Sequence, residues 1–175
     1  MIGAVLGFLI WLYLVVLTVR ALLSLVPLFI RDWQPRGALL VVAELVPAVI
    51  AWARGPLAPI HGTSLDDPRV RLHEGDVAAA IAAGPAYDAI LLDVDNGPDG
   101  LSRPANDRLY NPSGLATAKA RLRPGGHLAV WSSHPDAKFT KRLRQAGFAV
   151  DEVAVRATRS GKGARHTIWF ATRPA

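Results

Sequence analysis

Four acids end or closely follow successive short apolar runs of this 175-residue chain: Glu44 after LVVA, Asp76 after VRLHEG, and Asp93 and Asp95 after AILL. An open α/β sheet binds ligands beyond the carboxyl ends of its strands, so acids repeated at those ends read as one set. Glu44 suits the two hydroxyls of a ribose, because a carboxylate accepts from a vicinal diol with both oxygens. Asp76 can accept from an adenine amino group, and it equally suits an N-cap for a helix starting at Val77. Asp93 and Asp95 can hold a cationic amine and remove its proton. They open the stretch DVDNGPDGLSRPANDRLY, which is longer than a simple connection needs and favours a working loop over a linker.

The elements that must position these acids follow from periodicity. After Gly37, short apolar runs alternate with helical stretches, the pattern of βαβ units and a largely parallel sheet. Leu39–Ala43 reads as a buried strand ending at Glu44, and Pro47–Ala53 as a helix with proline in its first turn and Gly55 past its end. Val70–His73 is a second strand, Val77–Ala83 a short helix and Ala89–Leu92 a third strand. Gly-Pro and Asn-Gly pairs mark residues 96–112 as a long loop. Ser113–Leu122 is a helix closed by Arg123-Pro124-Gly125-Gly126, and His127–Trp131 is a fourth strand. Asp136–Gln145 is the last helix. Ala149–Ala157 and Thr167–Thr172 alternate apolar and polar residues as a closing β-hairpin. The hairpin loop, Arg159-Ser160-Gly161-Lys162-Gly163, lies between strands and so lacks the strand-to-helix setting of a phosphate loop.

Residues 1–30 carry a single charge, Arg20, and supply roughly the 20 apolar residues a helix needs to cross a ~30 Å hydrocarbon core. No basic stretch precedes the run and bulky residues follow it, which predicts a retained transmembrane helix rather than a cleaved signal. Arg20 reads as an end-of-span anchor, and Trp33 as an interfacial one. Arg31 and Arg36, opposed by Asp32 alone, form a basic juxtamembrane linker over 31–37 and place the C-terminal part in the cytoplasm. The expected organisation is a single-pass cell-membrane protein with the lipid bilayer as partner and one domain over residues 38–175.

Composition narrows the chemistry. There is no cysteine, which excludes disulfides, thiolate metal sites and cysteine nucleophiles. The five histidines, His61, His73, His127, His134 and His166, have no metal-site spacing, so no metal is expected. Ser132-Ser133-His134 has no motif support as a nucleophile with its base and reads as a strand-end turn. The net charge of +6 is concentrated late in the chain, without the interleaved aromatics that stack nucleic-acid bases, which disfavours nucleic acid as a partner.

Glu44 to Leu57, Arg69 to Val77, Tyr87 to Leu101 and Leu122 to Ser133 resemble, in order, the second to fifth strand regions of spermidine synthase-like proteins, in the class I methyltransferase superfamily. The resemblance, over about residues 44–173, implies an incomplete Rossmann-like sheet. It implies S-adenosylmethionine or its decarboxylated form as cofactor, with Glu44 on the ribose and Gly75 and Asp76 on the adenine. It implies Asp93 as base for an attacking amine, a small cationic amine as substrate, and methyl or aminopropyl transfer. Where the family has Asp-Ser-Ser-Asp, this chain has Asp93-Val94-Asp95-Asn96, so the second acid stands one position inward, at Asp95. The family's first strand and glycine-rich turn have no match upstream of Glu44, which predicts a missing central strand and impaired transfer. Residues 1–45 resemble the start of the YggT family of small integral membrane proteins, through the span and Arg20-Ala21-Leu22-Leu23-Ser24-Leu25-Val26-Pro27. The alternative to an anchored transferase is therefore a non-enzymatic membrane protein fused to a transferase remnant.

Overall fold

The computed structural model describes residues 40–94, 97–98, 106–157 and 163–175. The expected span over 1–30, the linker 31–37 and Asp95 lie outside these residues. Among the described residues no helix is long and apolar enough to cross a membrane.

The described chain runs β1 (Leu40–Glu44), α1 (Pro47–Arg54), α2 (Ala58–His61), a 3-10 turn (Ser64–Asp66), β2 (Val70–Glu74), α3 (Val77–Ala83) and β3 (Tyr87–Leu92). It continues with α4 (Asp107–Tyr110), α5 (Pro112–Arg121), β4 (Leu122–Ser132), α6 (Ala137–Gln145), β5 (Ala149–Arg156) and β6 (Arg165–Thr172). β1 and β2 pair in parallel from Leu40↔Val70 to Glu44↔Glu74. A second sheet has the order β3-β4-β6-β5, with β3 and β4 parallel and the hairpin antiparallel.

No ladder joins β1 to β3 among the described residues. α3 links the two sheets: it touches β1, and its Ile81 joins the core of the second sheet. Local chemistry explains why α3 forms there. Asp76 caps it by accepting from the Ala79 amide at 2.9 Å, alanines fill its interior and Gly84 ends it.

Two expectations are corrected. The 96–112 loop holds the short helix α4, and Pro112 already belongs to α5. Asn111 caps α5 by accepting from the Gly114 amide at 2.9 Å. The Arg123-Pro124-Gly125-Gly126 stretch does not sit outside the sheet but inside β4. The pairing jumps from Tyr87↔Leu122 to Ala89↔His127, so the extra residues form a bulge. Gly125 adopts φ +76, a conformation that suits glycine, and its amide donates to the Arg173 carbonyl at 2.9 Å while the Arg173 amide donates to Gly126 at 2.8 Å.

The core lies between the second sheet and α3 to α6. Trp169, Phe139, Leu143, Leu115, Leu128 and Val130 are fully buried. Phe139 meets Trp169 edge-on at 5.0 Å and Tyr110 at 5.8 Å. The Trp169 indole donates to Thr140 Oγ1 at 2.8 Å, which satisfies its one polar atom. Truncating such residues costs about 3–5 kcal/mol. β1 contrasts with this core, because Leu40 and Val42 are 42% and 37% exposed.

Candidate functional site

At the carboxyl end of β1, Glu44 turns back on its own chain: Oε1 accepts from the Val46 amide at 2.8 Å. The Gly75 amide donates to the Glu44 carbonyl at 2.9 Å, which binds the ends of β1 and β2 together. Gly75 and Asp76 therefore follow Glu44 in space as they do along the ladder. Asp76 has both carboxylate oxygens engaged, one by the α3 amide and the other by the Arg108 guanidinium. The Ala79 amide, more than Arg108, holds its carboxyl below the usual range. Its helix-cap role is thus observed, and an adenine amino group would have to share it with Arg108.

Arg108 was not singled out by the sequence reading, though it lies in the long loop that was. Residue type alone gave no hint that α4 would carry it back to Asp76. It also lines a cavity of about 200 Å³ with Ile81, Leu92, Leu109, Gly114 and Thr117, between α3, α5 and the end of β3.

Asp93 follows the last residue of β3. Its Oδ2 is buried and has no hydrogen-bond partner, and burial pushes the carboxyl up to about 6. The segment after it is held in place: Tyr110 donates to the Val94 carbonyl at 3.1 Å, and Gly97, at φ +103, lies so close to Ser132 that a Cβ would overlap the hydroxyl. On the neighbouring strand end, Ser132 Oγ accepts from the His134 amide at 3.2 Å and Ser133 Oγ lies 2.7 Å from His134 Nδ1. This is the strand-end turn the sequence suggested, with no acid to orient His134 among its recorded partners.

Glu44, Gly75 and Asp76 thus gather on the two-stranded sheet and Asp93 stands on the other, with α3 joining them. No set of three or more metal-ligating side chains is present among the described residues. An adenosyl donor fits in part. Glu44 stands at the end of β1, where a ribose-binding acid would be expected, and the cavity lined by Arg108, the ion-pair partner of Asp76, measures about 200 Å³. The methionine end finds no glycine-rich backbone turn among the described residues.

This geometry can be set beside known proteins. No family model matches the chain. It is 35% identical over 127 residues to a polyamine aminopropyltransferase of Mycobacterium tuberculosis, covering 67% of this chain and 24% of that protein. It is 39% identical over 97 residues to one of Corynebacterium efficiens, covering 51% and 17%. The chain spans about a quarter or less of the length of these curated relatives. Among solved structures, spermidine synthase from Thermotoga maritima aligns with a TM-score of 0.57 at 16% identity, over 76% of this chain and 44% of that one. A Pyrococcus furiosus methyltransferase aligns with a TM-score of 0.52 at 15% identity, over 77% and 62%. The fold is Rossmann-like, that of spermidine synthases and class I methyltransferases. The spermidine synthase-like part of the sequence resemblance is supported at this level. The YggT resemblance of residues 1–45 finds no match.

Proposed function

We propose that this chain is a spermidine synthase-like transferase domain that binds an adenosyl sulfonium donor and directs methyl or aminopropyl transfer to an acceptor nucleophile. The observation that carries the reading is Asp93, a buried carboxyl with a free oxygen at a strand's carboxyl end. A carboxyl shifted to about 6 is a competent base near neutral pH, and it is positioned on the rigid end of β3. Glu44 holds the ribose hydroxyls, and the Gly75-Asp76 turn with Arg108 frames the adenine. A sulfonium donor supplies an already activated carbon, so the residues mainly align the nucleophile and accept its proton. The similarity to polyamine aminopropyltransferases supports a small amine acceptor.

With no glycine-rich turn for the methionine end among the described residues, we expect weak donor binding and slow turnover. The apolar run over residues 1–30 supports tethering to a bilayer, which alkaline extraction of membranes from expressing cells checks. The central test is calorimetric titration of the full chain with S-adenosylmethionine, its decarboxylated form and 5′-methylthioadenosine. Saturable binding that drops at least tenfold in Glu44→Ala supports the reading. A folded sample that binds none of the three overturns it.

A further inference from the structure

Two buried side-chain polar atoms among the described residues lack a hydrogen-bond partner, Asp93 Oδ2 and His166 Nδ1. Buried polar groups are nearly always paired, so each orphan needs a physical account. The ladders bring the two to the same place. Leu92 pairs with Val130, which sets Asp93 abreast of Trp131, and Ser132 pairs with Thr167, which sets His166 abreast of Ser133. Carried one residue beyond the ends of β3 and β4, strand alternation puts Asp93, Trp131, Ser133 and His166 on one face of the sheet at its carboxyl end. The Trp131 and His166 rings lie with centroids 4.9 Å apart and planes tilted by 35°, so Trp131 stands between the orphans.

We propose that Asp93 Oδ2 and His166 Nδ1 are the two anchors of one acceptor subsite laid across Trp131, which takes a flat, uncharged molecule bearing a nucleophilic hydroxyl or amine at one end and a second hydrogen-bonding group at the other. This rests on the transferase reading and names its acceptor. β3 and β6 are two strand spacings apart, roughly 10 Å, a span suited to one substituted ring. Among the described residues, those abreast of His166 are Ser133 and Val155, neither of which brings a carboxylate for a second ammonium. Burial, and then the charge of His134, hold His166 below its ordinary range, so it meets the acceptor as a neutral ring. The second acid of the polyamine pattern, displaced to Asp95, is in keeping with a changed acceptor.

The test titrates the full chain, saturated with 5′-methylthioadenosine, with 4-hydroxybenzamide and with 1,4-diaminobutane. We expect 4-hydroxybenzamide to bind at least tenfold more tightly. His166→Phe keeps the ring against Trp131 and deletes the orphan, so it should weaken that binding about tenfold, leave 5′-methylthioadenosine affinity within twofold and not lower the melting temperature. His166→Gln should recover most of the loss. Tighter binding of 1,4-diaminobutane, no binding of 4-hydroxybenzamide, or an unchanged affinity in His166→Phe overturns the subsite and leaves the transferase reading standing. Failure of 5′-methylthioadenosine itself to bind a folded chain removes both.

Discussion

Asp93 carries opposite consequences for stability and for activity. Burial raises its folded value to about 6, against about 4 in the unfolded chain. The folded state therefore holds the proton more tightly, and the cost of the buried charge is absent below about pH 4 and complete above about pH 6. Partial access to solvent reduces that cost to roughly 2 kcal/mol. We expect Asp93→Asn to raise stability at pH 7.5 by about this amount and to flatten the slope between pH 4 and 6, read by urea melts across pH. Any transfer activity should rise with pH around a midpoint near 6 in the native chain and fall by about 10²-fold or more in Asp93→Asn. Asp76 separates differently. Asp76→Ala loses the α3 cap and should cost about 1 kcal/mol, whereas Arg108→Ala, which removes a half-exposed ion pair, should cost under about 1 kcal/mol. A larger effect of Arg108→Ala on 5′-methylthioadenosine affinity than on the thermal melt would separate the ligand role from the structural one.

At the scale of elements, short-range chemistry was legible and long-range pairing was not. Val77–Ala83 is found as read, because an aspartate, five alanines and a glycine specify start, body and stop without tertiary help. The Pro-Gly-Gly of β4 misled for the converse reason. It is a stop signal locally, yet hydrogen bonds to Arg173, distant in sequence, keep it within the strand. α4 escaped notice because four residues carry too little periodicity to read, and with it escaped Arg108. The acids at strand ends were legible from their spacing. His166 was not, since its meaning depends on register with a strand 30-odd positions earlier. Gly125→Ala tests the bulge: with open space around the Cβ, only the φ of +76 opposes it, so it should cost about 1–2 kcal/mol in a thermal melt.

For the whole molecule, the break between β1 and β3 dominates. Among the described residues β1 has one edge without a partner strand, and Leu40, Val42, Leu45 and Val46 are exposed, a combination that invites association with another chain. We expect the Leu40→Lys/Val42→Lys double variant to lower self-association in light scattering without lowering the melt of the larger sheet. A native chain that is monodisperse at high concentration would argue against that expectation.

The same break has a kinetic meaning. Cooperativity travels through ladders and packed cores, and among the described residues no ladder joins the ribbon of β1 and β2 to the larger sheet, so the ribbon should open as its own foldon. Amide exchange at Val70–Glu74 should run orders of magnitude faster than at Leu128–Val130, with a shallower dependence on denaturant. A donor gripping Glu44 could bind only the closed fraction, and its apparent affinity would carry that fraction as a factor. Stiffening the ribbon would then tighten binding without adding any contact.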